Sequence, residues 1–221
     1  MSIVYFLYHF KLLYIFEPIP NRIKMLENIW ANVEYGIHHI LNINAYDYIL
    51  FLIVLTVPYA FKDWKRVFLL ITMFTLGHTL SLILAIYNII YVKVSLIQFL
   101  IPIIILVIAV FNVFTAGKGP QKGKVGVLFL AALFFGLLHG FAFVREFNAM
   151  LANTSHHKLV VILELALGIE IAQIIMAFII LFLGYLSQTL FRFSRRDWVM
   201  VLSSVVIGFI IPIIFKNNYF M

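Results

Sequence analysis

Ionisable side chains inside apolar segments are the residues of this chain that could do chemistry. The clearest is His139, which lies between Gly136 and Gly140 in a stretch of twenty uncharged residues, 125–144. Twenty residues at about 1.5 Å rise per residue span about 30 Å, the hydrocarbon thickness of a bilayer. A histidine in such a segment is costly without a partner, so it indicates a polar site within a membrane.

Similar residues occur in other apolar segments. The carboxylates, imidazoles and amides concerned are Asp47, His78, Asn112, His139, Glu164, Glu170 and Gln173. Glu170 and Gln173 are three residues apart and would share one helix face. Two imidazoles with carboxylates suit a borderline divalent ion such as Ni²⁺, Co²⁺ or Zn²⁺, with the imidazoles neutral and the carboxylates balancing part of the charge. The glycines beside both histidines would let neighbouring helices approach closely.

The composition indicates a membrane protein. Of the 221 residues, 64% are hydrophobic and 11% are charged, whereas an ordinary soluble domain is about 25% charged. The net charge of +7 comes from basic residues in short loops between apolar segments. We therefore interpret it as a topology signal rather than a nucleic-acid-binding surface. The absence of cysteine excludes disulfides and thiolate metal sites.

The hydrophobic pattern predicts an all-α fold, a polytopic bundle of six transmembrane helices in a single unit from residue 25 to 221. The predicted spans are about 46–61, 67–90, 94–115, 125–144, 159–186 and 198–215. Residues 25–41 are predicted to form an interfacial helix. The first apolar run is short for a span, so residues 1–24 could be an upstream extension with Met25 as the start, or a partly inserted segment.

The loops between the spans predict the orientation. One set of loops holds nine basic residues: Lys62, Lys65, Arg66, Lys118, Lys122, Lys124, Arg192, Arg195 and Arg196. The opposite set holds four: Lys93, Arg145, Lys158 and Lys216. The excess marks the first set as cytoplasmic, as expected of a multi-pass protein of the cytoplasmic membrane. The intramembrane acids and histidines then lie between the midplane and the outer face.

Four segments resemble motifs of the HupE/UreJ family of membrane proteins. They are HILNINAYDYILFL at 39–52, FTLGHTLSL at 74–82, GLLHGFAF at 136–143 and LGIEIAQ at 167–173. The resemblance covers about residues 35–190, and the two histidine motifs are its most specific part. It implies a permease for nickel or cobalt, or an accessory protein that serves the maturation of hydrogenase or urease.

The resemblance also assigns roles to residues. It implies that His39, Asp47, His78, His139 and Glu170 are metal ligands, with His39 at the outer mouth. Gln173 would orient a ligand. Asn112 and Glu164, identified by their positions in apolar segments and not by the resemblance, are further supporting polar groups. The chain departs from the family at Tyr48, which stands where the family usually has a histidine. The spacing from His39 to Asp47 is also longer than usual, which leaves the identity of the metal open.

The leading hypothesis is a divalent-metal permease or accessory protein without a tightly bound cofactor. Its partners would be the lipid bilayer, the metal ion and a metalloenzyme maturation system, and no nucleic acid. Two other interpretations remain. The polar groups could be the structural network of a membrane scaffold. An intramembrane hydrolase could pair a histidine with Ser81 or hold a catalytic zinc, although HExxH and GxSxG motifs are absent.

Overall fold

The computed structural model describes residues 19–42, 46–117, 125–151 and 157–216, and these ranges contain helices and no strands. The α-helices are α1 Ile19–Leu41, α2 Tyr46–Thr56, α3 Trp64–Ile86, α4 Val94–Thr115, α5 Val125–Leu151, α6 Lys158–Thr189 and α7 Arg195–Lys216. A short 3₁₀ helix, Phe61–Asp63, precedes α3. The prediction of an all-α polytopic bundle is confirmed. Most of the segment 1–24 lies outside the described residues, but α1 begins at Ile19, before Met25.

Five of these helices, α3 to α7, are each long and apolar enough to cross a membrane. The first span differs from the prediction. α2 ends at Thr56 after 11 residues, and about 16 Å of helix crosses only half of a bilayer core. Pro58 accounts for this early end, because proline disfavours helical conformation at the residue before it and has no backbone N–H to donate.

α1 and α2 form a bent pair that is either a broken sixth span or a re-entrant loop. They pass the length and apolarity criteria as a pair and meet at an angle of 75°. Asn32 of α1 bonds Glu164 near the start of α6, whereas the chain after α2 reaches Arg195, beyond the end of α6. The pair therefore leads from one end of the bundle to the other. Residues 25–41, predicted as an interfacial helix, belong to α1 of this bent pair, and the interfacial placement stays a prediction.

The loops with the excess of basic residues meet at one end of the bundle, which we call the basic end. Arg195 donates to the backbone carbonyl of Pro58 and lies 3.9 Å from Asp63. Arg66 also lies 3.9 Å from Asp63. The side chain of Arg196 lies 3.5 Å from the position that a Cβ on Gly117 would occupy. This gathering agrees with two crossings between successive basic loops, α3 and α4 between the first two and α5 and α6 between the last two.

We predict that the basic end faces the cytoplasm, because basic loops are retained there. Single cysteines can report this cleanly, since the chain contains none. Lys65→Cys lies at the basic end and Tyr91→Cys, where the side chain is 92% exposed, at the other. In intact cells a membrane-impermeant maleimide should label the Tyr91 variant and should reach the Lys65 variant only after permeabilisation. The opposite labelling pattern would show that the basic end faces away from the cytoplasm.

The closest helix pair is α3 with α5, and glycines make that approach possible. A Cβ built on Gly77 would overlap the carbonyl oxygen of Leu133, and one built on Gly136 would overlap that of Phe74. Small residues let two membrane helices bring their backbones together in this way. Because Gly77 adjoins His78 and Gly136 lies three residues before His139, this contact positions both imidazoles.

Asn112 links α4 to the end of α2. Pro58 cannot donate a backbone hydrogen bond to the carbonyl of Val54, four residues earlier. The Asn112 side chain, which is buried, donates to that carbonyl instead at 2.7 Å. Its role is therefore to satisfy an acceptor that the proline leaves free.

We predict that Asn112→Leu destabilises the protein by roughly 1–2 kcal/mol, the range of a buried interhelical hydrogen bond. In a Pro58→Ala background the loss should shrink, because the new N–H can reach the Val54 carbonyl. Equilibrium unfolding in mixed micelles measures both. Thr115→Val is a suitable control, since this hydroxyl bonds the Phe111 carbonyl of its own helix. Strictly additive effects of the Asn112 and Pro58 changes would contradict this account.

Candidate metal centre

Polar side chains from four helices come together where α1 ends and α2 begins. We call this set the polar cluster; its members are His39, Asp47, Tyr48, His78 and His139. His39 is in the last turn of α1 and Asp47 is in the first turn of α2. A carboxylate at a helix N-terminus suits the helix dipole. The break in the first span therefore creates a polar environment inside the bundle.

His139 faces Asp47 across this cluster. Its Nδ1 donates to the backbone carbonyl of Phe135 at 3.3 Å, which leaves Nε2 with a lone pair when the imidazole is neutral. That Nε2 lies 3.4 Å from Oδ2 of Asp47, which is long for a hydrogen bond. Two acceptors at this distance repel each other unless a proton or a metal cation lies between them.

His78 supplies a second imidazole from α3. Its ring centroid lies 6.2 Å from that of His39, and both His78 and His139 are 1% exposed. Within the described part of the chain, Nε2 of each of these two histidines is buried without a hydrogen-bond partner. Buried polar atoms in this state are uncommon and need an explanation, such as a ligand. Both nitrogens have the chemistry of metal ligands.

Tyr48 and His39 form the remaining pair. The Tyr48 hydroxyl lies 2.7 Å from Nε2 of His39, and the Tyr48 ring packs 4.3 Å from that of His139. The backbone N–H of Tyr48 donates to Oδ1 of Asp47 at 3.1 Å. The sequence placed Tyr48 beside the site, whereas the structure buries its side chain within the cluster.

Aromatic rings enclose the cluster toward both ends of the bundle. Toward the basic end, Phe51 stacks on Phe135 at 3.7 Å and lies 5.5 Å from Phe74. Toward the other end, Phe143 lies 3.9 Å from the ring of His39 and 5.8 Å from that of His78. All four phenylalanines are at most 1% exposed. Phe135, His139 and Phe143 follow one another at intervals of four residues and so lie on one helix face. This spacing is the feature of the sequence that could have indicated the two layers.

Two predicted site residues lie outside the cluster. Thr72 donates to Glu170 at 2.7 Å and Thr75 donates to Gln173 at 3.2 Å. Thr72 and Thr75 precede His78 by six and three residues, which places them about 9 Å and 4.5 Å along α3 toward the basic end. Glu170 and Gln173 therefore tie α6 to α3 next to the cluster.

The other predicted residues are farther from the histidines. Glu164 accepts a hydrogen bond from Asn32 at 2.7 Å, which links α6 to α1. Asn112 bonds the Val54 carbonyl near the basic end. Ser81 donates to the backbone carbonyl of His78 at 2.8 Å, so this hydroxyl is engaged by main chain rather than by an imidazole. This contact is therefore not the serine–histidine pair that the hydrolase interpretation requires.

The donors do not form a complete coordination site in this arrangement. Among the described residues, no three His, Asp or Glu side chains are placed so that they could hold one metal ion. The nearest approach to such a site is His139 with Asp47, next to the unpartnered Nε2 of His78. A metal ion with three or more protein ligands would require the cluster to contract.

The comparison with protein families agrees with the motifs. The family model described as HupE / UreJ protein matches residues 19–217, which is most of the chain. No curated protein and no solved structure shows a significant match. The match covers both histidine motifs, the broken first span and every other helix described above. The chain therefore belongs to the HupE/UreJ family.

Proposed function

We propose that this protein is a permease or accessory protein of the cytoplasmic membrane that takes a divalent transition metal, nickel or cobalt, as its substrate at the polar cluster. Membership of the HupE/UreJ family links the chain to nickel or cobalt uptake or to metalloenzyme maturation. The observation that carries the proposal is the set of buried, unpartnered imidazole nitrogens beside a carboxylate at a helix break.

The donor types support this class of ion. Neutral imidazole nitrogen and carboxylate oxygen bind borderline ions such as Ni²⁺, Co²⁺ and Zn²⁺ well, and thiolates are absent. A cation between His139 and Asp47 would be attracted both to the imidazole nitrogen and to the carboxylate, and would replace the repulsion between these two acceptors. The same cation would give the buried Nε2 of His78 a partner. Binding would thus relieve the unfavourable features of the metal-free cluster.

The helix break supports movement of the substrate rather than permanent storage. Broken membrane helices commonly form substrate sites near the bilayer midplane, where half-helix ends and side chains replace water around the ion. Here the phenylalanine layers close the cluster from both ends. The hydrogen-bonded pairs Thr75–Gln173 and Thr72–Glu170 continue from the cluster toward the basic end. They would offer an ion polar groups along its route once the inner layer opens.

A non-catalytic scaffold is the second candidate, and four other contacts favour it. Glu170, Gln173, Glu164 and Asn112 each have a hydrogen-bond partner on another helix. Such contacts hold membrane helices together without any ligand. The two candidates differ at the polar cluster, because a purely structural network should satisfy the imidazoles of His78 and His139.

Metal binding by the purified protein tests the proposal. In lipid nanodiscs, Ni²⁺ or Co²⁺ at about a hundred times its Kd should raise the free energy of unfolding by about 2.7 kcal/mol. Mg²⁺, which prefers oxygen ligands, should give far less. In proteoliposomes, entry of the same ions, read by an enclosed fluorescent chelator, would distinguish a permease from an accessory binder. No stabilisation by Ni²⁺, Co²⁺ or Zn²⁺ would overturn the proposal in favour of the scaffold.

A further inference from the structure

We propose that Tyr48 is a latch that withholds Nε2 of His39 from the metal ion and thereby sets the affinity of the site. This inference rests on the proposed function. The latch is the hydrogen bond between the Tyr48 hydroxyl and Nε2 of His39, 2.7 Å long. It would make Tyr48 a determinant of metal affinity that acts through another residue, and not itself a metal ligand.

The hydrogen bond occupies Nε2 of His39 in either tautomer. If the Tyr48 O–H donates, it uses the lone pair of Nε2; if Nε2 carries the hydrogen, no lone pair remains there. A metal ion can bind this nitrogen only after the bond is broken. His78 and His139 are in the opposite state, because Nε2 of each has no hydrogen-bond partner among the described residues. Nε2 of His39 is therefore occupied by a hydrogen bond, whereas Nε2 of His78 has no such bond within the described part of the chain and Nε2 of His139 faces the Asp47 carboxylate at 3.4 Å.

The surroundings of Tyr48 hold the latch closed. Its side chain is 5% exposed, with the ring of His39 at 4.9 Å, that of His139 at 4.3 Å and that of Phe74 at 6.4 Å. A buried phenol that left His39 would lose its partner, which is unfavourable in an apolar environment. The latch also explains why no three donors converge here, since the third imidazole is held by Tyr48.

The latch spans the helix break. His39 belongs to α1 and Tyr48 to α2, and these helices meet at 75°. Tyr48 is also tied to the carboxylate, because its backbone N–H donates to Asp47. A movement of α2 relative to α1 would therefore shift the carboxylate and release His39 together. Metal affinity would then depend on the angle at the break, as alternating access requires.

Tyr48→Phe tests the latch, because it removes the hydroxyl and keeps the ring. The Kd for Ni²⁺ and Co²⁺, measured by titration of the full-length protein in nanodiscs, should fall by about two- to tenfold, the equivalent of one net hydrogen bond. The gain should disappear in a His39→Ala background, since it acts through that imidazole. Tyr59→Phe is a matched control: this tyrosine is also buried but lies near the basic end.

The outcomes separate the latch from the proposed function. A weaker affinity in Tyr48→Phe would show that the hydroxyl is itself a ligand and overturn the latch. Equal affinity in wild type and Tyr48→Phe, or a gain that persists in His39→Ala, would also overturn the latch and leave the metal site standing. If neither wild type nor Tyr48→Phe binds Ni²⁺ or Co²⁺, the latch and the proposed function fail together.

Discussion

Replacing either His78 or His139 with alanine should remove most of the stabilisation that Ni²⁺ or Co²⁺ gives the protein, and the double replacement should add little. The two imidazoles lie on adjacent helices, α3 and α5, and Nε2 of each has no hydrogen-bond partner among the residues that the structure describes. Groups that bind one ion are energetically coupled, so their replacements are not additive. Losing one of so few ligands removes most of the binding energy, and with it the increase in melting temperature.

The metal-free protein separates this expectation from a structural network. A shared site predicts a small loss of stability without metal, because an unpartnered buried imidazole is itself unfavourable. A network predicts that each change lowers stability by roughly 0.6–2 kcal/mol, with or without metal. Replacing each histidine with leucine instead of alanine fills most of the cavity, and so shows how much of any loss of stability is due to the cavity.

Thermal melts of the single and double variants, with and without Ni²⁺, Co²⁺ and Zn²⁺, make this comparison. His38→Ala is the matched control, because His38 is in the same turn as His39 but its side chain is 76% exposed. Melting temperatures that fall equally in the presence and absence of metal would contradict a shared site.

The second large effect is expected at Gly136. Gly136→Ala should prevent the normal packing of α3 against α5, because the new Cβ would overlap the carbonyl oxygen of Phe74. That atom belongs to a helix backbone and cannot turn away as a side chain would. We expect a loss of about 3 kcal/mol or more, at or above the upper end of overpacking effects. Metal binding should be lost as well, since His78 and His139 depend on this contact.

Gly208→Ala and Gly126→Ala provide the control, because among the described residues no packing neighbour lies within 4 Å of a Cβ at either position. Alanine favours helix over glycine by about 1 kcal/mol, so these variants should be as stable as wild type or more so. The yield of folded protein and its melting temperature, measured side by side, test the difference. A Gly136→Ala protein as stable as Gly208→Ala would show that α3 and α5 do not approach as described.

The helices themselves follow from local properties of the sequence. α4 occupies Val94–Thr115, the predicted range, because a long apolar run is helical in lipid whatever its neighbours. α5 continues to Leu151, beyond the predicted end at residue 144. Its extension includes Arg145 and Glu146, which are exposed on the outside of the helix. Hydropathy detects where a helix leaves the apolar layer but not where the helix ends.

The candidate residues were also identifiable from the sequence. A histidine or an acid within an apolar segment is rare enough to be noticed one residue at a time. That reasoning found Asp47, His78 and His139, and the family resemblance added His39. It did not indicate which of these side chains meet. Glu170 was grouped with the histidines from its estimated depth, whereas its carboxylate bonds Thr72.

Only the tertiary structure decided how the residues are combined. Helix rotation and relative depth depend on contacts between segments far apart in the chain, such as Gly136 against Phe74. The tertiary structure also places Tyr48 of α2 against His39 of α1 across the 75° bend between these helices. Hydrophobicity determines that a segment lies in the membrane. It does not determine the rotation of the helix about its axis, because lipid is equally apolar on every side. The direction in which each side chain points is therefore set by packing against neighbouring helices.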